Sequence, residues 1–144
     1  MSLPLEPHVA SLARFPRQLE TLLEGLGDAD AHWRPSDEDW SIVEIVAHLA
    51  DEEVEDFRPR VQRTLEDPAQ AWEPIDPEGV AKSRSYQDRA LDDVHAAFVA
   101  ARRESLAWLE TLGDEPWDHA HATKWGPLRA GDVFVSWVAH DLLH

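Results

Sequence analysis

The chain has 144 residues, 43% apolar and 29% charged, with 29 acids against 13 bases, a formal net charge of -16 and no cysteine. That length suits one domain, residues 1–144, able to bury a substantial core without staples. Lack of cysteine excludes disulfides, thiolate ligands, iron–sulfur clusters and a cysteine nucleophile, and the negative field disfavours nucleic acid and anionic membrane as partners. Any thiol chemistry therefore needs an external thiol. With no basic segment leading into an apolar one at the N-terminus and no apolar run long enough to span a bilayer, the expected compartment is the cytoplasm.

Leu12, Phe15, Leu19, Leu22, Leu23 and Leu26 recur at three- and four-residue steps, which predicts a first amphipathic helix closing near Gly25 to Gly27. Pro16 removes a backbone donor inside that stripe, so a kink or a restart is expected there. Residues 27 to 39 hold turn formers. Ser41 and Glu44 then form a capping-box pattern that starts a second helix. Its face runs Ile42, Ile45, Val46, Leu49, then Val54 or Phe57, Val61 and Leu65, giving helix to about residue 66 despite Pro59.

Pro68, Pro74, Pro77 and Gly79 mark residues 67 to 84 as a long loop, read as a flap. Ser85 is the expected cap of a third helix carrying Leu91, Val94, Phe98, Ala101, Ser105, Leu109 and Leu112, ended by Gly113. Residues 114 to 129 read as a second loop, and a fourth helix runs from about Gly131 to the end. Four helices without an alternating strand pattern predict an all-α fold, a four-helix bundle with long connecting loops.

The sequence closes on His140-Asp-Leu-Leu-His144, two imidazoles four residues apart and so on one side of a helix. A third histidine, His48, stands in the apolar stretch Trp40-Ser-Ile-Val-Glu-Ile-Val-Ala-His48, where an ionisable ring has no evident packing reason to be. Three neutral imidazoles suit a divalent metal with open positions; the plainer reading is three satisfied core histidines. All-nitrogen ligation fits Zn, Ni, Co or Fe(II) equally. Asp51, Glu52 and Asp141 are near enough in sequence to accept the other ring N–H of a ligating imidazole. Glu52, one turn after His48, is the candidate catalytic residue, with fourth ligand, outer partner and general base all open to it. His119 and His121 read as surface loop histidines, and His8, His32 and His95 carry no assigned role. Trp40, Trp108 and Trp137 read as core; Trp72 in the flap is the best candidate for substrate contact, although packing is the favoured reading for it too.

The run Trp33-x-Pro35-x4-Trp40-Ser41-x2-Glu44-x3-His48-Leu49, followed far downstream by His140-Asp141-x2-His144, resembles the DinB/YfiT-like superfamily of metalloenzymes over nearly the whole chain. The resemblance implies a four-helix bundle, usually a homodimer, with a three-histidine divalent metal site whose ligands fall on His48, His140 and His144. It also implies thiol-dependent chemistry, as in bacillithiol S-transfer and mycothiol-dependent maleylpyruvate isomerisation. Members usually continue the last helix beyond the second histidine of the pair, so a longer protein, or approach of the His144 terminal carboxylate to the metal, are both open here. The expected function is thiol-dependent S-transfer, or a related hydrolysis, between a small-molecule thiol and an electrophilic substrate. The alternative is a non-catalytic bundle that binds a small ligand or metal and acts through a dimer or partner; a bis-histidine haem site is a distant third.

Overall fold

A computed structural model describes residues 3–144. Helix α1 spans Leu5–Leu23 and buries Leu12, Phe15 and Leu19, as the stripe requires. It does not restart at Pro16, which lies inside one continuous helix. Pro16 has no N–H to give to the carbonyl four residues back, and Arg102 Nη1 donates to that carbonyl, Leu12 O, at 2.9 Å. The loss that would otherwise break the helix is thus made good from another element.

A short turn of helix, α2 (Asp28–Ala31), precedes α3 (Ile42–Glu52). The capping box forms as expected, Ser41 Oγ accepting from the Glu44 amide at 3.3 Å and Glu44 Oε1 accepting from the Ser41 amide at 3.0 Å. A π-helical turn, Glu53–Phe57, joins α3 directly to α4 (Arg58–Glu66), so the second rod runs to residue 66. The π turn sits just before Pro59, where the missing N–H already interrupts the ladder. Its extra residue rotates the stripe. Glu53 and Asp56 become buried, Phe57 packs against the core, and Val54, a candidate core position, is 46% exposed.

Residues 67 to 84 are not loop throughout, because Asp76 caps a helix α5 at Pro77–Ser83 with its carboxylate on the Gly79 amide at 3.2 Å. Ser85 does not cap the third long helix. It turns the chain in the left-handed region at φ 51° and leads into a 3-10 turn, Tyr86–Asp88, so that α6 (Leu91–Glu110) starts from Ala90 instead. A β-hairpin, β1 (Ala120–Thr123) against β2 (Gly126–Arg129), occupies the expected second loop, with Gly126 at φ 113° bringing the chain back into register just after the turn residues Lys124 and Trp125. Helix α7 (Ala130–Leu143) completes the bundle.

The four rods close a ring: α3 packs on α6, α6 on α1, α1 on α7, and α7 on α4. Two apolar clusters fill it, one around Phe15, Val46 and Phe98, the other around Leu12, Val61, Leu109 and Trp137. No helix among the described residues is long and apolar enough to cross a membrane.

Candidate metal centre

His48 lies two turns past the α3 cap, 6% exposed, with the Trp40 ring 5.0 Å from its own. His140 on α7 is flanked by Phe57, rings 4.9 Å apart, and His144 follows at the end of the same helix. The structure brings the three histidines together. His48 lies 5.3 Å from His140 and 5.0 Å from His144 between ring centroids, and the α7 pair are 4.6 Å apart. The Nε2 atoms of His48 and His140 are 3.3 Å apart, and one ring nitrogen from each of the three lies within 4.8 Å of the others.

Burial, with the neighbouring His144 adding to it, pushes the His48 imidazole down to about 4. His140 is likewise pushed down to about 4, by burial first and then by His144 and His48. Burial also lowers His144. All three rings are therefore neutral at pH 7, the form in which an imidazole ligates. Three convergent neutral imidazoles, with no thiolate nearby, are a donor set that fits a borderline divalent cation.

Of the three acids expected around the cluster, only Glu52 approaches it, with Oε1 3.8 Å from His48 Nδ1. Asp51 is taken up by Arg84 at 2.7 Å and by the Tyr86 hydroxyl. Asp141 turns away from the imidazoles and accepts two hydrogen bonds from Arg102, at 2.9 and 2.7 Å. Burial and then the adjacent Asp56 push the Glu52 carboxyl up to about 9, against a smaller opposing pull from Arg60, whose Nε sits 3.0 Å from Asp56 Oδ1.

A cavity of about 330 Å³ opens beside His48, between the outer face of the second rod and residues 73–80. Asp51, Glu52, Glu55, Glu73 and Asp76 line it, with Arg63 as the one basic residue in its wall. Trp72 is not part of that wall and packs against the core, which agrees with the favoured packing reading and not with substrate contact. Its Nε1 donates to Thr64 Oγ1 at 3.2 Å, Arg60 sits over its ring at 4.8 Å, and its ring stacks on His121 at 4.3 Å. His121 in turn meets the Pro68 carbonyl at 2.9 Å, so this group fastens the 67–76 segment to the hairpin. His119 is exposed, and His32 serves as a clip, its Nε2 on the Arg89 carbonyl at 2.8 Å. Trp137 is core as expected.

Sequence reasoning missed Arg102 and Glu53. The available signal was an arginine one position after Ala101 on the apolar stripe of α6, next to a glutamate that an unbroken α-helix would have turned elsewhere.

A helical bundle with three imidazoles gathered from its second and last rods has the build of a metalloprotein. The sequence model of the DinB superfamily matches residues 11–144, and the chain belongs to that superfamily. In fold it is similar to YfiT from Bacillus subtilis, described as a probable metal-dependent hydrolase with an unusual four-helix bundle topology. That similarity has a TM-score of 0.83 at 18% identity over 96% of this chain and 79% of the other. It is also similar to the mycothiol-dependent maleylpyruvate isomerase, with a TM-score of 0.73 at 18% identity over 99% of this chain. The chain spans 59% of the isomerase's length. No curated protein matches it in sequence.

Proposed function

We propose that this protein is a divalent-metal-dependent enzyme that joins a low-molecular-weight thiol to an electrophile, or hydrolyses a related substrate, at His48, His140 and His144. The observation that carries the reading is the convergence of three neutral imidazoles, one of which, His48, stands in the wall of a cavity. Membership of the DinB superfamily, and the thiol-dependent reaction of one structural neighbour, support the thiol as nucleophile.

A divalent ion held by the three imidazoles supplies Lewis acidity, which makes a thiol or a water acidic enough to react at neutral pH. The chain has no cysteine, so the sulfur comes from a co-substrate. In the transfer, a sulfur–carbon bond forms as the bond from carbon to the leaving group breaks, and overall a proton goes from the thiol to the leaving group. Glu52, which lines the cavity, flanks His48 and is protonated at neutral pH, gives its proton to the leaving group and is reprotonated by the one the thiol releases. Burial first, and then Asp56 against the weaker pull of Arg60, keep it uncharged. Trp40 packs on His48 and Phe57 on His140, while His144 stays open to solvent at the end of α7. The carboxylates of the cavity wall favour a neutral or cationic substrate over an anionic one.

The test is to load the parent protein and His48→Ala with Zn, Ni, Co or Fe(II), offer thiols with alkyl halides, epoxides and esters, and follow products by mass spectrometry. Turnover in the parent that is lost in the variant is expected. Absence of turnover with every pair, or equal turnover in both proteins, removes the proposal and leaves a ligand- or metal-binding bundle.

A further inference from the structure

Helix α6 gives no imidazole to the cluster, yet it carries the most heavily engaged side chain of the core. Arg102 is 1% exposed, and each of its five N–H groups has an acceptor. Nε donates to Glu53 Oε1 at 3.0 Å, Nη2 to the same oxygen at 2.8 Å and to Asp141 Oδ1 at 2.7 Å. Nη1 donates to Asp141 Oδ2 and to the Leu12 carbonyl, both at 2.9 Å. Trp137 Nε1 adds a further bond to Glu53 Oε1.

The two acids are not placed at random. Glu53 follows His48 on the second rod by five residues, and Asp141 stands between His140 and His144. Successive residues of an α-helix point about 100° apart, so Asp141 faces Arg102 while the two imidazoles face His48. Helix α7 is thus held at two points of its circumference. A buried ion triad contributes little net stability compared with apolar residues of the same volume, and its better-attested use is to select one arrangement among several.

We propose that Arg102 is a positioning residue for the metal centre: by gripping Asp141 and Glu53 together it sets the rotation of α7 against the second rod and so brings the histidine pair to His48. The inference rests on the three histidines holding a metal. It assigns the centre an outer support that no imidazole N–H contacts directly, acting through the backbone of α7.

Cobalt(II) serves as the probe, titrated into metal-free full-length protein and read through its visible d–d absorption, which reports both affinity and coordination geometry. The main variant is Asp141→Asn, which removes a charge with little change of shape; Arg102→Lys, which keeps the charge but not the fork, is the second. Far-UV circular dichroism checks that each is folded. A folded variant that binds cobalt about tenfold or more weakly, with a shifted or broadened band, supports the proposal. A folded variant with the parent's affinity and spectrum overturns it. Unfolding of both variants also overturns it, since the triad would then serve the fold and not the site. If the parent itself takes up no cobalt, the metal reading fails first, and the loss is not Arg102's.

Discussion

Glu52 Oε1 lies 3.8 Å from His48 Nδ1, one helical turn further along α3, and the same carboxyl lines the cavity beside the cluster. A group so placed adjoins both the His48 imidazole and the space a substrate would fill. Glu52→Gln keeps its shape and removes its proton. The expected outcome is a loss of about a hundredfold or more in kcat/KM, with metal content unchanged. The pH profile should lose the limb that the carboxyl contributes. A variant with the parent's rate and profile would leave Glu52 a bystander.

Metal loading has a simple stoichiometric expectation. Purified parent protein should hold about one divalent ion per chain, with His48→Ala and His140→Ala holding none, as measured by elemental analysis on untagged protein. Because an ion that binds only the folded state stabilises it by mass action, adding Zn or Ni at a hundredfold excess over Kd should add about 2.7 kcal/mol and raise Tm by several degrees. Neither alanine variant should respond. A parent protein with no metal and no thermal shift would sink the site.

Glu44 links the start of α3 to pH. Burial alone would raise its carboxyl, but the hydrogen bonds from Arg34, at 2.7 and 2.9 Å, and from the Ser41 amide outweigh it, and the net shift is downward. A carboxyl depressed in the folded state contributes stability above its unfolded value and loses it as pH falls through the folded one. Glu44→Gln should therefore cost about 1 kcal/mol at pH 7, a typical capping contribution, and the gap between variant and parent should narrow as pH falls below about 4. Urea unfolding at a series of pH values measures it. A gap that stays constant with pH would mean the cap works through shape alone.

Charge in the cavity wall predicts a substrate preference. Leaving aside Glu52, which is held uncharged, four acids and Arg63 line the space, so electrophiles matched in size but differing in charge should rank cationic, then neutral, then anionic in kcat/KM. The differences should shrink as salt is added. Glu73→Lys, on the exposed rim and away from the histidines, should improve the anionic member severalfold with little effect on the neutral one. An anionic preference in the parent would overturn the cavity's assignment as the substrate pocket.

What the sequence made legible was local or strictly spaced. Ser41 and Glu44 satisfy each other across three residues, and His140 and His144 share a side at a four-residue step, so both patterns are visible before any packing is known. His48 stood out because a polar ring interrupts an apolar stripe. The Arg102 network was hidden because its partners lie 90, 49 and 39 residues away in the chain. The hairpin was missed because strands of four residues, one reading Ala-His-Ala-Thr, carry too little pattern to register. Trp72 could be weighed but not settled for a related reason: an aromatic in an apparent flap can be a substrate contact or the pin that fastens it, and Thr64, Arg60 and His121 decide for the pin.

The π turn gives the sharpest test of the core. With one extra residue between Glu52 and Arg58, Glu53 points inward to Arg102 and Val54 stands 46% exposed. In an unbroken α-helix with the same stripe, Val54 would be a core candidate and Glu53 a surface acid. Val54→Asp should thus change stability by no more than about 0.5 kcal/mol. Glu53→Val, although it replaces an acid with an apolar residue, should cost about 3–5 kcal/mol, since it removes a partner from a buried guanidinium. Paired urea-unfolding curves decide the matter. If the valine variant is the stable one and the aspartate the damaged one, the second rod is a regular helix, and the hold of Arg102 on it is lost with the turn.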